Sequence, residues 1–372
     1  MTWTKTTLSE VSDIQTGPFG SQLHASDYVN SGIPTIMPQD IVGNRVITDT
    51  IACIREEDAM RLAKYRVAPG DIIYSRRGDV ERHALIGNAE NMWLCGTGCL
   101  RVRPNKHKVI SQYLHYYLSS PDSRAWIRSH AHGTTMPNLN TTILGDTPIC
   151  CPQIETQIKI CGILELLDKK IDINNDLNDH LQEQAQAIYA SMFIENADPT
   201  WVRGHLSDLI TIKYGKDHKK LADGNYHVYG SGGIMRYVER PLYDKESVLI
   251  PRKGTLNNVM YNNHPFWSVD TMFYSEMRVP NVAKYVYHYI KGKDLAAMNA
   301  GSAVPSMTTD ILNAMEISIP SASTLREFET IVSPMYQAMQ ENNDQSARLA
   351  ELRDLLLPKL MSGELDVSSI PL

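Results

Sequence analysis

The sequence predicts an α+β protein: two mixed α/β domains, each followed by a long helix, with the second half of the chain repeating the first. Three observations predict it. The stretch GTTMPNLNTTILGDTPICCP from Gly133 aligns without a gap with GSAVPSMTTDILNAMEISIP from Gly301, at a constant offset of 168. After both Pro152 and Pro320, apolar residues recur at about 3.5-residue spacing. The segments between are short β-branched runs set off by Gly-rich turns such as Gly17 to Gly20 and Gly230 to Gly233.

Each half opens alike. Trp3 to Ile14 (WTKTTLSEVSDI) matches Trp201 to Ile212 (WVRGHLSDLITI) at an offset of 198, with an acid at Glu10 and Asp208. Between the repeated ends, 118 residues separate Ile14 from Gly133 and 88 separate Ile212 from Gly301, so a common scaffold carries two different inserts. Strands are predicted over Val46 to Ile51, Ile72 to Tyr74 and Val248 to Ile250. One helix is predicted near Gln112 and one near Lys284. The runs DIIYSRRG and SVLIPRKG each close an apolar strand with a basic turn ending in Gly78 or Gly254.

The first long helix follows from Ile160, Leu164, Leu167, Ile171, Leu177, Leu181, Ala185 and Ile188, the second from Phe328, Ile331, Met335, Met339, Leu349, Leu352, Leu356 and Leu360. Each spans about 40 residues, or ~60 Å at 1.5 Å per residue. The pairs Leu167/Met335, Ile171/Met339, Asn174/Asn342 and Leu181/Leu349 keep the offset of 168 and mark the expected coiled-coil seam. Asparagine at a core-type position fixes register at some cost in stability; an exposed Asn on a helix that bends away is the alternative. Two similar halves paired through their own helices are related by a pseudo-two-fold, which predicts antiparallel helices. The expected division is 1–152, 153–197, 198–320 and 321–372.

Length and composition fit this division: 372 residues suit two or three domains, and 42% hydrophobic residues supply several cores. No window approaches eighteen unbroken apolar residues and the first eight residues are polar, so neither a membrane span nor a signal peptide is expected, and a cytoplasmic location is. Six cysteines without a CxxC pair predict reduced thiols. The 36 basic and 42 acidic residues give a net charge of -6, the wrong sign for simple nucleic-acid binding. The two helix segments, Gln153 to Phe193 and Ser321 to Leu360, hold all of it, -4 and -2. The remainder is neutral and carries local basic clusters at Arg76-Arg77, Arg101 to Lys108, Lys213 to Lys220 and Arg252-Lys253.

Catalytic signatures are missing: there is no GxxxxGK[ST], HExxH, GxSxG, or GxGxxG after a strand. Asp198-Pro199-Thr200-Trp201 stands one residue from an amino-methyltransferase signature, but it lies where the second half begins and Trp201 is the repeat partner of Trp3. Cys95 and Cys99 read as a strand-associated core pair rather than metal ligands, and no metal site is expected. His130 and His132 read as loop polar groups.

The WxxxxLSE/D start, the Gly-Ser/Thr-x-x-Pro segment running into I-x-x-P and a long helix, the duplication, and the ending LLPKLMSGEL from Leu356 resemble the specificity subunit of type I restriction-modification systems over nearly the whole chain. The resemblance implies that the inserts are target recognition domains, each reading one half of an interrupted sequence in double-stranded DNA. It implies that the helices form a coiled coil docking two adenine methyltransferase subunits, with restriction or translocase subunits in the wider complex. Catalysis, S-adenosylmethionine, ATP and magnesium would belong to those partners, and the chain itself would need no cofactor. A modification-only or other restriction arrangement, or a coiled-coil protein-binding adaptor, are the competing readings.

Candidate DNA contacts are Arg76, Arg77, Arg252 and Lys253, in turns after strands where a cation reaches phosphate or guanine. Lys213, Tyr214, Lys216, Lys219 and Lys220 form the densest basic stretch of the second insert. Gln22 and Gln39 are candidate adenine readers. Thr134, Thr135, Asn138, Ser302 and Ser306 lie in the repeated loop, where helix capping competes with DNA contact.

Overall fold

The computed structural model describes residues 3–49, 51–133, 135–298, 306–368 and 370. Thr134 and Ser302 of the repeated loop lie outside the described residues. The chain forms two compact units, Met1–Ile173 with Gln345–Leu372, and Asn174–Asp344. The four segments expected from the sequence are therefore not four bodies, because each insert shares a unit with one half of each long helix.

In the first unit an antiparallel sheet runs in the order Ser12–Thr16, Cys99–Pro104, Ile72–Ser75, His83–Leu85. A second sheet runs Leu94–Cys95, Ile33–Ile36, Ala52–Ile54, Tyr28–Val29, its first pair parallel. The second unit repeats the plan with Ile210–Tyr214, Met272–Met277, Ser247–Pro251 and Met260–Asn262 in one sheet. Gly233–Val238, Tyr226–Gly230 and Phe266–Ser268 form the other, its last pair again parallel. The strands Ile72–Ser75 and Ser247–Pro251 are buried at every residue, which is why both read as unbroken apolar runs rather than alternating ones.

Among the described residues of the strand expected over Val46 to Ile51, only Val46 is paired. Arg45–Val46 pairs with Ile41–Val42 through a two-residue turn whose Gly43 and Asn44 both take positive φ, 58° and 64°. This is the turn chemistry that Gly and Asn allow, and it uses up the strand in a short hairpin. The helices expected near Gln112 and Lys284 are Ser111–Ser119 and Ala283–Lys291. Tyr113 donates its hydroxyl to the Cys150 carbonyl at 2.6 Å, and Tyr285 donates to Ser318, the repeat equivalent of Cys150, at the same distance.

The long helices are Ile154–Ala190 and Ala322–Ser362. In the first unit Ile160, Cys161 and Leu164 share a core with Leu357, Leu360 and Met361, and Arg353 donates to Asp168 at 2.8 Å. In the second unit Ala185, Tyr189 and Phe193 meet Phe328, Val332 and Tyr336. Within each unit rising numbers on one helix meet falling numbers on the other, so the helix segments are antiparallel. Asn174 is fully buried and its amide donates to the Asn342 carbonyl at 3.3 Å, while the Asn342 amide donates to Asn178 at 2.9 Å. Leu167, Ile171, Leu181, Met335, Met339 and Leu349 are half-buried. Leu177, Ile331 and Leu352, read as part of the same periodic stripe, are 46%, 42% and 43% exposed. Around Leu177 the inward face is held by Asn174 and Asn178, one turn apart, which leaves the leucine on the outer edge.

Lys284 holds the second unit's insert to its helix. Its ammonium, 5% exposed, lies 3.1 Å from Glu246 and 2.6 Å from Glu329, over the rings of Tyr261 and Tyr336. Replacing one partner of a fully buried pair costs about 3–5 kcal/mol. Glu246 and Glu329 retain some solvent, so Lys284→Met is expected to cost about 2 kcal/mol, read as a lower urea midpoint for this unit.

Candidate nucleic-acid interface

The two basic turns sit in the same backbone frame, built once in each unit. In the first, Gly17 N–H donates to Cys99 at 3.0 Å, Gly96 N–H to Ile36 at 2.9 Å, Arg76 N–H to Gly98 at 2.8 Å and Leu139 N–H to Arg76 at 2.9 Å. In the second, Gly215 donates to Met272 at 3.0 Å, Val269 to Tyr229 at 3.1 Å, Arg252 to Thr271 at 2.9 Å and Met307 to Arg252 at 2.9 Å. These are the same four bonds. Each gathers the loop after the first strand, the segment after a parallel-paired strand, the basic turn and the repeated loop around one tight turn, Gly96 to Gly98 or Val269 to Thr271.

Glycine is required in that frame. A Cβ on Gly17 would stand 2.2 Å from the Gly96 carbonyl, and one on Gly215 would stand 2.0 Å from that of Val269. Gly78 and Gly254, which end the basic turns, take φ of 76° and 83°, conformations that other residues rarely adopt.

The guanidiniums are placed alike. Arg76 lies over the Phe19 ring at 5.6 Å and donates to the Leu139 carbonyl at 3.2 Å; Arg252 lies over Tyr214 at 5.5 Å and donates to the Asp270 carbonyl at 3.1 Å. The ring contact and the carbonyl bond anchor each guanidinium and leave most of its five donors for another group. Arg77 and Lys253 are exposed, and none of these four cations forms an ion pair among the described residues. Arg101 to Lys108, an equally dense basic run in the sequence, differs. Arg101 is 6% exposed and donates to the Lys64 and Arg66 carbonyls, Arg103 pairs with Asp71, and Lys108 donates to the Glu10 carbonyl.

The remaining candidates separate on the same criteria. Gln39 is exposed and next to the first frame: its neighbour Pro38 lies against Gly98, whose carbonyl accepts from Arg76. Gln22 is turned inward, its side-chain carbonyl accepting the Tyr65 hydroxyl at 2.7 Å. Lys213 faces Glu276 at 3.6 Å. Lys216, Lys219 and Lys220 are exposed, with the Lys216 backbone held by Ser268 and Trp267. The Asp217 carboxyl among them is held below its usual range, chiefly by the Lys219 N–H.

In the repeated loop, Asn138 and Ser306 form bridges with Arg77 and Lys253, while the helix caps are Asn140 and Thr308, which accept from Ile143 and Ile311. The capping expected of the loop is therefore performed two residues after Asn138 and Ser306. Thr135 is exposed. His130 stacks on Trp126 at 3.9 Å and His132 N–H donates to the Asn138 carbonyl. The Cys95 thiol is buried and pushed up to about 12, an inert protonated group, and the described residues hold no cluster suited to a metal ion.

Beside the frames stand exposed apolar residues that no pattern in the sequence marks: Phe19 and Met136 in the first unit, Ile234 and Met235 in the second, exposed by 55%, 65%, 52% and 59%. No sequence signal distinguishes them from core residues, since exposure depends on how the loops close.

The described helices include none long and apolar enough to cross a membrane. The chain matches the family model for the type I restriction modification DNA specificity domain twice, over residues 1–183 and 199–349. It is 23% identical to the type I restriction enzyme MjaIX specificity subunit of Methanocaldococcus jannaschii, covering 92% of this chain and 89% of that one. It is 21% identical to the HindI specificity subunit of Haemophilus influenzae, covering 91% and 94%. Its fold is similar to the crystal structure of the type I restriction-modification S subunit from M. genitalium, with a TM-score of 0.60 and 18% identity over 97% and 96% of the two chains. With the family model matched once in each half, the chain belongs to the type I restriction-modification DNA specificity family.

Proposed function

We propose that this chain is the non-catalytic recognition subunit of a type I restriction-modification complex and reads an interrupted, bipartite sequence in double-stranded DNA, one half-site per unit. The observation that carries this reading is the frame itself: the same four backbone bonds, in two inserts that otherwise differ, each present an arginine without an ion-pair partner over an aromatic ring. A shared frame with divergent surroundings suits two readers of unlike sequences. Adenine methyltransferase subunits dock on the helices in this reading, and S-adenosylmethionine, ATP and magnesium are bound by partner chains.

The test is Arg76→Ala and Arg252→Ala, each assayed for duplex binding over a series of salt concentrations and single base-pair changes. A base-reading guanidinium costs about 1–3 kcal/mol and relaxes one position; a phosphate-binding one weakens all sequences alike and lowers the salt slope by about 1. Either result supports the reading. Binding unchanged in both variants contradicts it.

A further inference from the structure

Beside the second basic turn stands a hairpin, Tyr226–Gly230 and Gly233–Val238, whose second strand is apolar and open to solvent where it leaves the turn. Ile234, Met235 and Tyr237 are exposed by 52%, 59% and 49%, unusual for three large side chains within four residues. The hairpin is irregular at one place. Val228 faces Arg236 while Tyr229 faces Ile234, so Met235 is the extra residue of a bulge, a device that re-aims a side chain. Met235 is not loose: a Cβ on Gly230 would stand 2.5 Å from its sulfur, so the thioether rests on the bare face of that glycine.

The tip adjoins the cations. A Cβ on Gly254, the end of the basic turn, would stand 2.5 Å from the Ser231 hydroxyl, and the Asn258 amide donates to the Ser231 carbonyl at 2.9 Å. Positive φ at Gly233 and Gly254 brings the two turns together. The result is an apolar ridge with Arg252 and Lys253 beside it. A protein partner would match both only with carboxylates set around an apolar site. A DNA groove matches both, with phosphates at its rim and, on its floor, apolar parts of the bases, the thymine C5-methyl chief among them. A two-stranded ribbon is also narrow enough to enter the major groove.

We infer that the hairpin tip is the base-reading element of the second unit, with Ile234 and Met235 making apolar contacts to one or two adjacent base pairs of its half-site and Gly230 seating Met235. The inference rests on the reading that this unit contacts DNA. The equivalent place in the first unit is the segment after Ile36, which carries the exposed Gln39.

The experiment selects bound duplexes from a randomised library with the full chain, as wild type and as Ile234→Ala/Met235→Ala, Gly230→Ala and Arg252→Ala/Lys253→Ala. The two alanine replacements at exposed positions are expected to leave the melting temperature unchanged and to lower discrimination 5- to 50-fold at one or two neighbouring positions of one half-site, with the salt slope intact. Gly230→Ala is expected to affect the same positions by displacing Met235. Unchanged discrimination in Ile234→Ala/Met235→Ala, or uniform weakening over all sequences, overturns the inference. If that variant is silent while Arg252→Ala/Lys253→Ala alters binding, the hairpin assignment alone falls. If both are silent, DNA contact by this unit falls with it.

Discussion

Phe328→Ala is expected to destabilise the second unit by about 3–5 kcal/mol, the cost of emptying a fully buried phenyl site. Phe328 is fully buried on the C-terminal helix and meets the Phe193 ring at 5.0 Å and 86°, Tyr189 at 6.3 Å and His288 at 6.0 Å. These residues come from the end of the central helix and from Ala283–Lys291, so the ring joins three elements at once. Burial pushes His288 down to about 4, so a neutral imidazole donates its Nδ1–H to the Gln186 side-chain carbonyl and accepts the Tyr336 hydroxyl at Nε2, and no charge is available to draw water into the cavity. Little can collapse into the space. Amide hydrogen exchange reads the result directly. Protection in Ser247–Pro251 and Met272–Met277 should fall by about two to three and a half orders of magnitude. Protection in Ile72–Ser75 and Cys99–Pro104 of the other unit should hold. Equal losses in both would show that the two units open as one.

The architecture was legible because it is written twice. A constant offset of 168 ties Asn140 to Thr308, both caps, and Leu139 to Met307, both bonded to a basic turn. The offset of 198 ties Gly17 to Gly215, both pressed against a carbonyl. Equivalence at a distance survived even where chemistry changed. Tyr116 donates to Asp168 at 2.6 Å in the first unit, and His288 meets Tyr336, the repeat equivalent of Asp168, at 2.9 Å in the second.

The helix seam was less legible. Periodicity finds a stripe but cannot say where the stripe stops being covered, so Leu177 and Leu352 read like Leu164, although only Leu164 is buried. Basic runs were the least legible. Arg101 and Arg103 looked as available as Arg76 and Arg77, and only the fold shows that the first pair serves carbonyls and Asp71. The apolar ridge carried no signal, because an exposed Ile-Met in a hairpin and a buried one have the same letters.

Exchange of residues 214–300 for the corresponding insert of a relative separates the two half-sites. The graft carries the loop after Tyr214, the hairpin, the basic turn and the Val269–Thr271 turn together, so the frame is replaced nearly whole. The frame bond that crosses the boundary of the graft runs from Met307 N–H to the Arg252 carbonyl, a backbone contact that any residue at position 252 provides. Each mismatched base pair costs about 1–3 kcal/mol, so a half-site changed at three pairs should be disfavoured roughly 10²- to 10⁶-fold relative to the new one. Adenine methylation is mapped in cells that supply the methyltransferase subunits, with the parent chain, with the exchanged chain and with neither. With one half-site read by each unit, one half of the methylated sequence becomes the donor's while the other half stays as it was. An exchanged chain that changes both halves, or neither, contradicts that division.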